Sequence, residues 1–75
     1  MVFEKVKSII LSQFPNFNES LITMNASFTD DIGADSVDVI ELILKFEEEF
    51  DIEIDDEQLE TIKTVSDVVS YIESL

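Results

Sequence analysis

The sequence predicts a small all-α protein: a four-helix bundle of three main helices plus one short helix, with a long first loop. Three stretches repeat apolar residues at intervals of three and four, which places them on one face of a helix. The only proline ends the first of these stretches, and the only glycine lies just before the second. The 75 residues are therefore expected to form one domain, residues 1–75, with a small core.

The first helix is predicted over residues 2–14. Pro15 ends it, because proline disfavours helical backbone in the residue before it and has no N–H to donate. The apolar stripe of this helix consists of Phe3, Val6, Ile9, Ile10 and Phe14.

Residues 15–35 are predicted to form a long connection. A structureless segment of this length is unusual in a compact domain, so its own apolar side chains must hold it in place. Asn18 or Ser20 is expected to start a helical turn within it. The residues expected to anchor the loop are Phe17, Leu21, Ile22 and Phe28.

The second helix is predicted over residues 36–50. Asp35 fits its N-cap position, with Asp38 three residues further on, as in a capping box. Ser36 then falls on the first turn with its hydroxyl facing water. The stripe expected to face the core comprises Val39, Leu42, Ile43, Phe46 and Phe50. A helix with a second apolar stripe needs a second partner, and that stripe comprises Val37, Ile40 and Leu44.

The C-terminal third contains an alternating segment and two further helices. Residues 51–56 alternate like a strand, but the sequence offers no second strand, so we predict an extended connector that tucks Ile52 or Ile54 inward. Residues 57–62 are predicted to form the short helix, with Leu59 and Ile62 on one side. A cap signature at residues 64–67 opens the last helix. Its expected buried face is Val65, Val68, Val69, Ile72 and Leu75, with Tyr71 alongside.

The charge of the chain excludes several partners. Eighteen acidic residues stand against four lysines, a formal net charge of −14, and 14 of the acids lie in residues 30–60. Such a field repels nucleic acid and anionic membranes and attracts basic protein surfaces or cations. No apolar run approaches the ~20 residues of a membrane span, and we expect no signal segment at the start of the chain. We expect a monomer in a reducing compartment, the cytoplasm or an organellar matrix or stroma.

The residue types present also exclude several kinds of catalysis. The chain has no cysteine and no histidine, which excludes disulfides, zinc sites of the usual kind and Ser-His or Cys-His catalysis. Nothing in the sequence predicts that any carboxyl pKa is raised, as general acid catalysis requires. We therefore expect no catalytic residue and a protein that is not an enzyme.

The acidic run that begins at Asp51 does not form a calcium-binding EF-hand loop. Asp56 occupies the position where that loop needs glycine, and Ile62 occupies the position of its bidentate glutamate. A solvated acidic face is the ordinary interpretation of such a run. No specific metal site is expected, and weak divalent binding remains open at two trios: Asp30, Asp35 and Asp38, and Glu47, Asp51 and Glu53.

Ser36 is the candidate functional residue. Serines commonly open helices, and the ordinary interpretation is a residue that helps to cap one. Asp35, however, can cap the helix alone, and Gly33 specifies a sharp turn just before it. A phosphodiester on Ser36 would lie at the positive end of the helix dipole, which favours anions.

The segment Gly33-Ala34-Asp35-Ser36-Val37-Asp38 resembles the Gly-Ala-Asp-Ser-Leu-Asp signature of acyl carrier proteins of the discrete, fatty-acid-synthase type. Residues 25–28, 40–42, 47–51, 64–65 and 71–72 are also similar to that family. The resemblance implies that a phosphopantetheinyl transferase attaches 4′-phosphopantetheine from coenzyme A to Ser36, with Gly33 and Asp35 supporting the turn. It also implies that the arm carries acyl chains as thioesters between enzymes of fatty acid biosynthesis.

The resemblance makes the second helix the expected recognition helix for those basic-surfaced enzymes. The expected contact residues are Asp35, Val37, Asp38, Ile40, Glu41, Leu44, Glu47 and Glu48. Burial of a methylene is worth ~0.8 kcal/mol, so a long acyl chain is expected to enter a dry slot in the core. The residues expected to line that slot are Val39, Phe46, Ile54, Leu59 and Ile62.

Three residues depart from the family pattern: Val37 replaces the usual Leu, Lys45 stands where small residues are common, and Asp55 stands where proline is frequent. They bear on the choice of partner and leave the attachment chemistry untouched. Two alternatives stay open on the sequence. One is a carrier of the same fold for polyketide, D-alanine or another specialised pathway. The other is an unmodified acidic helical adaptor that docks basic surfaces through Val37, Ile40 and Leu44.

Overall fold

Four α-helices and one short 3₁₀ turn follow one another in the predicted order. The computed structural model describes residues 1–75 and confirms the all-α class, with three main helices and a short one. None of its helices combines the length and apolar character needed to cross a membrane. The elements are α1 (Val2–Gln13), the 3₁₀ turn (Glu19–Leu21), α2 (Ser36–Phe50), α3 (Asp56–Thr61) and α4 (Val65–Glu73).

Side-chain caps start the helical segments after α1. Asn18 caps the 3₁₀ turn by accepting a hydrogen bond from the Ser20 N–H, which confirms the prediction of a helical turn there. Thr64 and Asp67 form a capping box at α4, as the cap signature predicted. Asp55 caps α3 through the Gln58 N–H. That role was not predicted, and it explains how α3 starts without a proline at this position.

The core lies between α1, α2 and α4 and beneath the long loop. Phe28 from the loop and Phe46 from α2 are its largest fully buried side chains, with ring centroids 6.5 Å apart. The sequence missed Ala26 and Ile32 as loop anchors, and Phe17 packs against the core from its edge. The buried cluster comprises Val6, Ile10, Ile22, Ala26, Phe28, Ile32, Leu42, Ile43, Phe46, Ile62, Val65, Val68 and Val69.

Two residues expected in the core lie on the surface. Leu21 ends the 3₁₀ turn and is 55% exposed, because the anchor of this part of the loop is the next residue, Ile22. Leu75 follows the end of α4 and is 69% exposed, so the apolar stripe of α4 stops at Ile72. Both corrections arise where the helical periodicity no longer applies.

The alternating segment after α2 forms no strand, as predicted. Asp51 ends α2 in the left-handed conformation, with a φ of 54°. The connector is then held by two polar contacts: the Ile54 N–H donates to Glu47 Oε2 at 2.8 Å, and the Tyr71 hydroxyl donates to the Glu53 carbonyl at 3.2 Å. Ile54 packs against the core, as one of the two predicted alternatives.

The long loop pairs through its backbone with the start of α4. The Phe28 N–H donates to the Lys63 carbonyl at 3.0 Å, and the Val65 N–H donates to the Ala26 carbonyl at 3.0 Å. A third bond runs from the Ser66 N–H to the Met24 carbonyl at 2.8 Å. This short antiparallel contact was not predicted, because a pair of isolated bridging residues leaves no alternating pattern in the sequence.

We predict that the cap at α4 makes the fold sensitive to acid. The backbone N–H groups of Lys63 and Thr64 donate to Asp67 Oδ2 and lower the pKa of that carboxyl below 3.8. Because the folded-state pKa is depressed, this stabilisation is present above the unfolded-state pKa and is lost as pH falls through the folded-state value. Asp67→Asn should lower the free energy of unfolding at pH 7 by roughly 1 kcal/mol or less, as befits a partly exposed cap.

Urea unfolding at intervals from pH 7 to pH 2.5 measures this effect. The difference between wild type and Asp67→Asn should shrink as pH falls below about 4. Glu60→Gln is the matched control, because Glu60 is exposed and its carboxylate accepts no hydrogen bond. A difference that stays constant over the whole pH range would contradict the role of the charge.

Candidate functional site

A tight turn leads into α2. Gly33 has a φ of 82°, in the left-handed region that suits glycine. A Cβ placed on Gly33 would meet no atom within 4 Å, so the turn needs glycine for its backbone conformation and not for space. Ala34 is buried beside it, and the Ala34 N–H donates to the Phe28 carbonyl at 2.8 Å. This hydrogen bond links the turn to Phe28, the residue whose N–H pairs with the start of α4.

Asp35 and Asp38 form the capping box that the sequence predicted. The Asp38 N–H donates to Asp35 Oδ1 at 2.9 Å, and the Asp35 N–H donates to Asp38 Oδ2 at 3.3 Å. Both carboxylates thus satisfy backbone donors at the start of α2. The Ser36 hydroxyl is not needed for capping.

Ser36 is exposed on the first turn of α2, and its side chain forms no hydrogen bond within the chain. The backbone N–H groups of Ser36 and Val37 also have no partner within the chain, as is usual for the first donors of a helix. An oxygen nucleophile therefore lies beside free donors at the positive end of a helix dipole. This arrangement suits a group joined through a phosphodiester.

The predicted second stripe of α2 is unpartnered in the structure. Val37 is 60%, Ile40 49% and Leu44 55% exposed. The acidic residues around this face differ in whether their carboxylates accept hydrogen bonds within the chain. Glu47 holds the connector through the Ile54 N–H, and Asp35 and Asp38 hold each other's backbone. The carboxylates of Glu41 and Glu48 are exposed and accept no hydrogen bond, so these two residues are the free charges of the predicted face.

An open cleft of about 390 Å³ lies beside the start of α2. Val39, one turn after Ser36, lines it together with Ile62, so the structure brings together two of the five residues predicted for an acyl slot. Phe46 is fully buried against Phe28, and neither Ile54 nor Leu59 lines the cleft. The remaining lining residues, which the sequence did not indicate, are Ser27, Phe28, Thr29, Asp30 and Lys63.

A larger groove of about 600 Å³ runs along α1 and reaches Glu49. Its lining is mostly polar, and Glu49 lies near the end of α2 opposite Ser36. Glu49 is separated from the first turn of α2 by roughly 20 Å along the helix axis, at about 1.5 Å per residue. The other end of the groove reaches Ser12, the neighbour of Gln13, whose side chain contacts Asp38. Another cleft of about 390 Å³ is lined by residues 13–17. Of these clefts, only the one beside Val39 has a lining residue from the first two turns of α2, so it is the cleft that we relate to Ser36.

The acidic trios considered for divalent cations do not form metal sites in the structure. No three acidic side chains lie close enough together to hold a metal ion. Asp35 and Asp38 are committed to the capping box, and Glu47 is committed to the connector, so each trio lacks free converging carboxylates. Loose binding of divalent ions by the acidic surface stays a prediction.

Comparisons with known proteins agree with this site. A family model described as a phosphopantetheine attachment site matches residues 4–72. The chain is 54% identical over 74 residues to the acyl carrier protein of Clostridium acetobutylicum, covering 99% of this chain and 95% of that protein.

Two solved structures share the fold. One is a proposed acyl carrier protein from Mycobacterium tuberculosis, with a TM-score of 0.87, 32% identity, and coverage of 99% of this chain and 97% of that chain. The other is the acyl carrier protein of Enterococcus faecalis, with a TM-score of 0.80, 41% identity, and coverage of 97% and 91%.

The fold and the serine at the start of α2 define a helical carrier domain. The chain belongs to the acyl carrier protein family, and its cofactor is 4′-phosphopantetheine. The exposed hydroxyl and the free N–H groups at the start of α2 fit such an arm.

We predict that the turn before α2 depends on the backbone freedom of Gly33. Gly33→Ala should lower the free energy of unfolding by about 1–2 kcal/mol, because an L-residue in the left-handed region is strained. Gly33→Asn should lose less, since asparagine tolerates that region better. Urea denaturation with an unchanged m-value measures both. Equal stability of Gly33→Ala and wild type would show that the turn relaxes without cost.

Proposed function

We propose that this chain carries acyl intermediates of fatty acid biosynthesis as thioesters on a 4′-phosphopantetheine arm attached to Ser36. The observation that carries the proposal is the exposed, unbonded Ser36 hydroxyl between Gly33 and Asp38, at the first turn of a capped helix. The match with the clostridial acyl carrier protein covers nearly all of both chains, which supports a carrier role for this chain. The Gly-Ala-Asp-Ser context favours the fatty acid pathway over polyketide, D-alanine or other specialised carriers.

The chain supplies the acceptor for the attachment reaction. The Ser36 oxygen forms a bond to phosphorus as the pyrophosphate bond of coenzyme A breaks and adenosine bisphosphate leaves. The chain has no histidine beside Ser36, and one oxygen of each of the Asp35 and Asp38 carboxylates already accepts a backbone N–H. We propose that a phosphopantetheinyl transferase completes the site that accepts the proton and that the chain itself is not an enzyme.

The residues at the start of α2 would also hold the attached group. The free N–H groups of Ser36 and Val37 can donate to the phosphodiester, where the helix dipole favours negative charge. When bound, the arm supplies a thiol, which a cysteine-free chain lacks. The cleft beside Val39 and Ile62 is the entry that we propose for long acyl chains. Their methylenes would gain ~0.8 kcal/mol each by leaving water.

Enzyme partners are proposed to dock on α2. Val37, Ile40 and Leu44 form an exposed apolar strip, and Glu41 and Glu48 place free carboxylates beside it. Basic-surfaced enzymes complement this face, and charges at its rim steer their approach.

The net charge of −14 disfavours contact between two copies, in line with a monomer. Similarity to a clostridial carrier supports a cytoplasmic location.

Attachment is predicted at Ser36 and nowhere else. Incubation of the unmodified chain with coenzyme A and a phosphopantetheinyl transferase should add the mass of one arm, read by intact mass spectrometry. Ser36→Ala should gain no mass and should fold normally, losing at most about 1 kcal/mol, because Asp35 provides the cap. Ser66→Ala, which removes a hydroxyl at the start of α4, is the control that should still be modified.

Two results would count against this proposal. A modified Ser36→Ala protein would place the arm on another residue. An unmodified wild-type chain would favour the acidic adaptor, which docks through the same apolar strip without an arm. Acyl species that co-purify with the chain, identified by mass spectrometry, would distinguish fatty acid intermediates from those of a specialised pathway.

Reversal of the two free charges on α2 is predicted to slow modification. Glu41→Lys with Glu48→Lys should raise the apparent KM of the transferase severalfold at low salt, because rim charges act mainly on association. The difference from wild type should shrink as salt screens the field over ~8 Å at physiological ionic strength. Glu4→Lys with Glu73→Lys makes the same change in net charge on α1 and α4 and serves as the control. Equal KM values for both double variants would place the interface elsewhere.

A further inference from the structure

One side chain links the end of α1 to the first turn of α2. Gln13 is the last residue of α1, and its Nε2 donates to the Asp38 carbonyl at 3.1 Å, across 25 positions of sequence. The other amide atom of Gln13, Oε1, is buried and accepts no hydrogen bond. Only the NH₂ group can face a carbonyl oxygen, so the chemistry fixes which amide atom makes the contact and which lacks a partner.

The amide of Gln13 is not explained by stability. A buried acceptor without a donor opposes folding, and an apolar side chain of similar size at this position would avoid that cost. The neighbouring Phe14 and Phe17 already pack against the core from this end of α1. Gln13 is half-buried, and the chain retains its amide although the amide oxygen is covered and has no donor. A buried polar atom without a partner calls for a specific explanation, and the contact of the same amide with Asp38 offers one.

The contact falls on the residue that organises the site. Asp38 is held at its N–H by Asp35 Oδ1 and at its carbonyl by Gln13. Ser36 lies two residues before Asp38, on the same turn, and its own side chain forms no hydrogen bond. The position of the Ser36 hydroxyl is thus set by the turn that carries it, and Gln13 makes the side-chain hydrogen bond that joins this turn to α1.

We propose that Gln13 is a positioning residue for transfer to Ser36: it holds the first turn of α2 so that the hydroxyl is presented in one orientation. This inference rests on the proposed function of Ser36. Small displacements of a reacting atom lower the rate of the chemical step, whereas the docking face of α2 stays unchanged. Loss of the Gln13 contact should therefore act on kcat of modification more than on KM.

The test measures initial rates of modification of the full, unmodified chain against its concentration, with coenzyme A and the transferase. Gln13→Leu removes the donor and the unpartnered acceptor and keeps a similar volume. Its kcat should fall by about threefold to tenfold, the factor that one neutral hydrogen bond is worth, with KM within about twofold of wild type. Gln13→Met makes the same test with an unbranched side chain if the leucine variant does not fold.

Gln58→Leu is the matched control. Gln58 is half-buried on α3, and its side chain makes no hydrogen bond, so kcat should not change. Amide hydrogen exchange gives a second readout: in Gln13→Leu, residues 38–42 should exchange faster, while residues 43–50 keep their protection. A purely structural role would lower the melting temperature and leave kcat unchanged at temperatures well below it.

Three results would overturn the inference. They are an unchanged kcat in both Gln13 variants, an equal fall in Gln58→Leu, and a rise in KM without a fall in kcat. Failure of the wild-type chain to accept the arm would instead refute the function proposed for Ser36. The two proposals therefore fail in different measurements.

Discussion

The hydrogen bond from the Phe28 N–H to the Lys63 carbonyl joins the long loop to the start of α4, and the site depends on it. Phe28 also accepts a hydrogen bond from Ala34 and packs its ring against Phe46 in the core. One residue therefore connects α4, the core and the turn before α2. A loop of this length would otherwise sample many conformations, and its ordering costs entropy. Backbone pairing and one buried ring together fix where Gly33 turns the chain.

The parts of the fold that depend on local signals were predicted from the sequence. Asp35 and Thr64 cap α2 and α4 through hydrogen bonds with residues three positions further along the chain. These local caps fix where α2 and α4 begin. The contact between Gln13 and Asp38 and the pairing of the loop with α4 span 25 residues or more. Contacts between residues so far apart leave no periodic or capping pattern in the sequence. The sequence therefore predicted that the loop is anchored, but not which part of the fold it pairs with.

The candidate site shows the same division. Ser36 and its capping box were predictable because a motif and a helix start coincide at one place in the chain. The lining of the cleft was not, since Phe28, Thr29 and Lys63 come together with Val39 only through the loop pairing. Phe46 lies at the spacing expected of a slot residue on α2, but its ring is packed against Phe28 in the core. Spacing identifies the face of a helix and leaves open which residue packs on that face.

The acidic residues at the start of α2 and along it have two different roles, which the net charge of the chain does not distinguish. The carboxylates of Asp35, Asp38 and Glu47 accept backbone N–H groups and stabilise the helix start and the connector, whereas Glu41 and Glu48 remain free in solvent. The bonded carboxylates fix the turn, and the free ones extend their field outward. The exposed strip ends about 12 Å from Ser36 along the axis, at 1.5 Å per residue. A partner that covers Ser36 therefore also meets the apolar strip and its free charges, so one helix supplies both the attachment point and the surface that brings enzymes to it.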